Sequence, residues 1–149
     1  MMISFNSMGD VKKHLESLKT LSVLEPEDYA LEGKIADIIA GERGEMKFTQ
    51  IRKFFGHIKK IETVELKGRE NNDPVDPRGF YPLMPELAYS YGRGLITRDF
   101  YEVMKICLSS NKIKTVVDFK RFVNLLTAVI AYHKKREMDK KGGVSHVKQ

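Results

Sequence analysis

Residues 48–61, Phe-Thr-Gln-Ile-Arg-Lys-Phe-Phe-Gly-His-Ile-Lys-Lys-Ile, decide how the rest of this sequence is read. Ile51, Phe54, Phe55, Ile58 and Ile61 follow the i, i+3, i+4, i+7 spacing that lines one side of an α-helix, where a half-buried strand would alternate every second residue. Thr49 stands just before that run, where a side-chain oxygen can accept from free backbone N–H groups, so the spacing predicts a helix capped at Thr49. With Ile51 at zero and about 100° per residue, Lys53 and Lys60 fall at about 200° and 180° with Gly56 between them. Arg52 and Lys59 fall at about 100° and 80°, on the flank. Apolar and basic residues thus occupy different sides of one cylinder. Each basic pair repeats after about 10 Å along the axis, a spacing that can follow roughly one to three phosphates of a nucleic-acid backbone. Gly56 in mid-helix costs about 1 kcal/mol relative to Ala. Close approach of a phosphate or a partner helix would account for it, and so would drift at a surface position.

The same period recurs on both sides of this stretch. Asp10 is placed to cap a first helix carrying Val11, Leu15 and Leu18. Glu25-Pro26-Glu27-Asp28 opens a second, with Pro in the first turn and acids where the helix dipole favours them. It carries Tyr29, Leu31, Ile35, Ile38 and Ile39 until Gly41 and Gly44 break it. A short helix follows Pro82 or Pro85, with Leu83, Leu87 and Tyr91, and ends at Gly92 to Gly94. Thr97 caps the next, with Ile96 and Tyr101 positioned as a hydrophobic staple. The last and longest runs from Val116 to Met138 on Phe119, Phe122, Val123, Leu126, Val129 and Ile130. Residues 66–80 (LKGRENNDPVDPRGF) are too rich in Gly, Pro, Asn and Asp for a helix and read as a long exposed loop, an insertion rather than a domain boundary. Residues 139–149 (DKKGGVSHVKQ) have little to bury and read as a basic flexible tail. The expectation is an all-α, compact bundle of about five or six helices, in one domain over residues 1–138.

At 149 residues the chain can bury about 70% of its surface, so it needs neither metal nor disulfide to fold. With 42% hydrophobic and 31% charged residues it is too apolar for disorder and too interrupted by charge for a membrane span. Met1 to Asp10 lacks the pattern of a secretory signal, and a cytoplasmic location is expected. Cys107 is the only cysteine, which excludes an internal disulfide and a cysteine-based zinc site. Flanked by Val103, Met104, Ile106 and Leu108, it reads as a small buried hydrophobe. His14, His57, His133 and His146 form no pair at helical ligand spacing, and His133, beside the last apolar stripe, reads as a packed, hydrogen-bonded histidine. No glycine-rich turn follows a strand, and no acid or histidine constellation suits hydrolysis or redox work. The chain is expected to be no enzyme and to use no metal and no cofactor.

Charge is more informative by position than in total, which is +6. Residues 47–69 hold seven Lys and Arg against two acids and residues 112–149 hold ten against three, while the two remaining pieces are net acidic. If the fold joins the two basic blocks they make a polyanion-binding face; apart, they are solvated helix surfaces. On the last helix Arg121, Asn124, Ala128, Ala131 and Lys135 lie opposite the apolar stripe, small residues between cations. Such a face can accept a second helix or lie along RNA. The cluster Lys134-Lys135-Arg136 also suits the helix C-terminal dipole.

Three strings carry more than periodicity: Phe48-Thr49-Gln50-Ile51-Arg52-Lys53-Phe54-Phe55, Phe119-Lys120-Arg121-Phe122, and Ala128-Val129-Ile130-Ala131-Tyr132-His133-Lys134. Together, and in this order, they resemble the small helical subunit of type III-A CRISPR (Csm) effector complexes, in outline over residues 25 to 138. The resemblance implies a non-catalytic structural subunit, present in several copies, that stacks alongside other Csm subunits and lines the groove holding guide RNA and target RNA. It also implies self-association in isolation, as a dimer. It assigns Arg52 and Lys53 from the first motif, and Lys120, Arg121 and Lys134 from the second, to RNA-backbone contact. Lys59, Lys60 and Lys135 join them as candidates from the basic faces. Two competing readings are the equivalent small subunit of a type III-B complex and a DNA-binding regulator using the helices at Thr97 and Val116 as a helix-turn-helix. Val116, Val117 and Phe119 oppose the regulator, since a recognition helix presents polar side chains in its first turns.

Overall fold

Local capping and tertiary contacts share the work of setting the helix boundaries. The computed structural model describes residues 3–41, 45–109 and 111–147, with side chains as far as Asp139. Among these lie α1 (Met8–Ser17), α2 (Pro26–Tyr29), α3 (Ile35–Ala40), α4 (Phe48–Glu65), α5 (Leu83–Gly92), α6 (Arg98–Ser109) and α7 (Val116–Val147). Short 3₁₀ turns stand at Leu21–Val23 and Pro77–Gly79. The protein is all-α, and the described residues form no strand beyond an isolated antiparallel bridge between Pro74 and Thr115.

Several boundaries differ from the expected ones, each for a visible reason. Ser7, not Asp10, caps α1: its Oγ accepts from the Asp10 N–H at 3.2 Å, while the Asp10 carboxylate accepts from the Asn6 N–H at 2.9 Å. Asp10 therefore belongs to the first turn, in a nearly reciprocal box. The expected second helix is two, α2 and α3, which raises the count to seven. Gly33 between them takes φ +79°, a left-handed conformation that ends a helix, and its N–H donates to Asp37 Oδ2 at 2.6 Å. At α4 the N-cap is Lys47 rather than Thr49, and no side chain caps it. The chain enters this helix held by the Lys47 N–H on the Leu95 carbonyl at 3.0 Å. Thr97 does cap α6, accepting from the Phe100 N–H at 3.0 Å. Beyond Met138, where composition marks the start of a tail, α7 continues to Val147. Elongating an existing helix needs no new nucleus, and a Lys135–Asp139 pair at 2.9 Å spans the junction.

Residues 66–80 are irregular, yet fastened. The N–H groups of Val116 and Val117, which have no partner within the first turn of α7, donate to the carbonyls of Asp73 and Asn71, each at 3.0 Å. The Val75 N–H reaches the Lys114 carbonyl at 3.0 Å, and Phe80 is buried with its ring 6.0 Å from Phe119. Asp118 completes this corner. Its buried carboxylate accepts from the N–H groups of Ser22 and Lys114 at 2.9 Å and of Thr115 at 3.0 Å. Burial alone would raise its pKa, but these backbone donors outweigh burial and hold it below the usual carboxylate value.

α7 is the spine of the bundle, packed on α3 and α4, while α6 packs on α1, α3 and α5. Phe100, Phe119 and Phe122 are fully buried, and the Phe54 and Phe100 rings meet edge to face at 6.3 Å. The turn between α6 and α7 is joined to the start of the fold as well: Lys112 is buried and its Nζ donates to the carbonyls of Glu16 and Leu18 at the end of α1. α4 and α7 are neighbours, and the two basic blocks meet where Arg52 and Lys134 both lie against the Phe48 ring.

Candidate nucleic-acid interface

On α4 the separation of faces follows the helical period. Ile51, Phe54 and Ile58 are buried, and Arg52, Lys53, Lys59 and Lys60 are exposed. A Cβ added at Gly56 would meet nothing within 4 Å, so no part of this chain takes advantage of the missing side chain. Lys59 is engaged with Glu62 at 2.8 Å. Lys53 and Lys60 form no ion pair or hydrogen bond among the described residues, and with Gly56 they make an open, positively charged strip.

At the N-terminal end of α4 the motif blocks meet on one side chain. The half-buried Phe48 ring lies parallel to His133 of α7, with centroids 5.6 Å apart and planes 6° apart. Arg52, one turn along α4, places its guanidinium carbon 5.6 Å from the centre of that ring, and Lys134 of α7 brings its Nζ to 5.0 Å. An aromatic face attracts cations, so the ring holds two positive groups from different helices side by side against their mutual repulsion. His133 anchors the stack from beneath: it is 3% exposed and its Nε2 is 3.2 Å from the Met46 carbonyl oxygen.

The remaining nominated cations are more committed. Arg121 is half-buried with its guanidinium 5.9 Å from the centre of the Tyr29 ring. Lys120 donates to Asn71 Oδ1 at 2.8 Å, part of the fastening of the loop. Lys135 lies 2.9 Å from Asp139 and 3.8 Å from Glu32, and its hydrogen bond to Asp139 raises its pKa. Its neighbour Arg136 ties α7 to α3 through Asp37 at 2.6 Å. Four cations are therefore available along α4 and its junction with α7: Arg52, Lys53, Lys60 and Lys134. The sequence reading passed over Phe48, the residue that brings two of them together, although it opens the first motif.

Groups with reaction chemistry are not gathered anywhere comparable. Among the described residues no three His, Cys, Asp or Glu side chains come together as a metal site. Cys107 is buried and its thiol is pushed up to about 12 by burial, so it is uncharged at neutral pH. No helix among the described residues is long and apolar enough to cross a membrane. The helix-turn-helix reading is opposed at the start of α7: the N–H groups of Val116 and Val117 are taken by the carbonyls of Asp73 and Asn71, so the loop covers the first turn that would meet base edges.

A closed helical core that carries its cations on the outside, on aromatic rings and an open helix face, defines an assembly or binding protein. The family model Csm2 Type III-A matches residues 27–139, and the chain belongs to that family. It is thus a structural subunit of a type III-A CRISPR complex, built to assemble with other Csm subunits, and the type III-B alternative is set aside. No curated protein and no solved structure matches the chain.

Proposed function

We propose that α4 and the middle of α7 around Lys134 hold the backbones of guide RNA and target RNA in this complex, in the cytoplasm, without catalysis and in several stacked copies. The observation that carries this reading is the convergence of Arg52 and Lys134, from separate motif blocks, on the Phe48 ring. Lys53 and Lys60 extend the same charge along α4, and no acid of the described chain neutralises them. Cations on a rigid helix, without base-reading amides around them, suit phosphates: base pairing supplies the sequence, and the protein supports shape and backbone.

The test is RNA binding as a function of salt. Replacing Arg52, Lys53, Lys60 and Lys134 singly with Ala should weaken binding to a similar extent on unrelated RNA sequences. Each lost phosphate contact should make the logarithmic salt dependence shallower by roughly 0.7 to 0.9. Unchanged affinity and slope in the fourfold variant would remove RNA from this face.

A further inference from the structure

A different side of the molecule carries a cleft with its own chemistry. Arg98, Tyr101, Glu102 and Lys105 recur at i, i+3, i+4, i+7 on α6 and line one wall of a cleft of about 620 Å³. Lys12 and Glu16 of α1 stand opposite, and Tyr91 at the end of α5 closes one end. The Tyr91 and Tyr101 rings are stacked, with centroids 5.5 Å apart and planes only 12° apart, and Tyr91 remains 40% exposed. Two parallel rings left partly open to solvent are unusual for a surface that serves only solubility. The acids in the cleft are largely spoken for: Glu102 is 2.7 Å from Lys12 and 3.7 Å from Arg98, and Lys12 also holds Asp99 at 2.8 Å. Lys105 is exposed and has no ion-pair partner among the described residues, which leaves positive charge on the rim.

We propose that this cleft between α1 and α6 binds a nucleobase of single-stranded RNA, stacked on the Tyr91–Tyr101 pair, with the adjoining phosphate at Lys105 and Arg98. An aromatic platform beside cations is the combination that single strands use, because every base has a face to stack while its phosphate seeks charge. The mixed lining, aromatic rings beside charged groups, suits a heteroaromatic base better than an aliphatic side chain of a protein partner, since the base face stacks while its edge needs hydrogen bonds, and Glu16 can accept from an exocyclic amino group. None of these residues belongs to the α4 and α7 face, so the inference stands apart from the backbone reading.

Full-length protein titrated with a short single-stranded RNA carrying one 2-aminopurine tests it, because that base loses fluorescence when it stacks. Wild type and Tyr91→Phe should quench the probe. Tyr91→Leu should weaken binding by about 5- to 150-fold, the range expected for one stacked base, with the salt slope unchanged because no phosphate contact is lost. Lys105→Glu, exposed and away from the ring pair, should weaken binding and alter the slope. Circular dichroism melts separate lost binding from lost fold, and Lys105→Glu keeps the test informative if Tyr91→Leu does not fold. Absent quenching in wild type, wild-type affinity in a folded Tyr91→Leu, or a free 2-aminopurine nucleotide binding as tightly as the strand would overturn the proposal. Removal of Arg52, Lys53, Lys60 and Lys134 should leave the quenching in place, so failure of one face is distinguishable from failure of the other.

Discussion

Two single residues concentrate the energetics of this protein. Asp118 accepts three backbone N–H groups from two parts of the chain, and Asp118→Ala would leave those buried donors unpaired. Hydrogen bonds to a charged group are worth about 1.5–3 kcal/mol, and a loss of that size is expected in urea unfolding. Because the folded-state pKa is lowered, Asp118 contributes its stability in full above the ordinary carboxylate value of about 3.9. That contribution is lost as pH falls through the folded value. Unfolding curves taken from neutral to acid pH should therefore show a shallower acid limb in Asp118→Asn, which cannot titrate. Phe48 acts on charge placement instead. Phe48→Leu keeps an apolar side chain but removes the ring under Arg52 and Lys134, at about 0.5–1 kcal/mol for each exposed cation–π contact. RNA affinity should fall about 2- to 10-fold in equilibrium titrations with the salt slope retained, since both charges remain.

Among the elements, α4 offers the clearest experiment. Gly56 faces open space and has an ordinary helical environment, so Gly56→Ala should raise stability by about 0.5–1 kcal/mol, read as a higher melting temperature. If RNA or a partner approaches that face closely, the same variant should bind more weakly while being more stable, a divergence that a surface accident would not produce. The elements also show what was legible in sequence. The apolar stripes of α4 and α7 and the Thr97 cap of α6 depend on neighbours within a turn or so, and were readable for that reason. The break at Gly33 was not, because a glycine inside a helical pattern is tolerable at modest cost and only the tie to Asp37 and the packing of α3 on α7 decide its conformation. Lys47 capping α4 and Ser7 capping α1 show the same limit within two or three residues. Among the nominated cations, the free ones were visible as a helix face. The commitments of Lys120 to Asn71 and Arg121 to Tyr29 join positions far apart in sequence, and periodicity carries no trace of them.

For the whole molecule, the expected self-association can be tested on the apolar surface left outside. Val64 is 68% exposed and, with Ile61, Pro82 and Leu83, lines a groove of about 320 Å³ between the far half of α4 and the start of α5. The loop at residues 66–80 is fastened to its own α7, so association, if it uses this side, brings intact bundles together without exchanging a helix. Light scattering without RNA should show a dimer that reverts toward monomer in Val64→Glu, because burying an unpaired charge opposes the contact. Lys112 and Asp118 hold the end of α1 and the turn at Leu21–Val23 from positions more than ninety residues downstream, at separations of 96 and 94 residues for the contacts to Glu16 and Leu18 and of 96 for Ser22. At about 5–20 residues per second on a ribosome, α1 waits roughly 5 to 20 s after its own synthesis for the residues that will close around it. A nascent chain halted before Lys112 leaves α1 without its clasp.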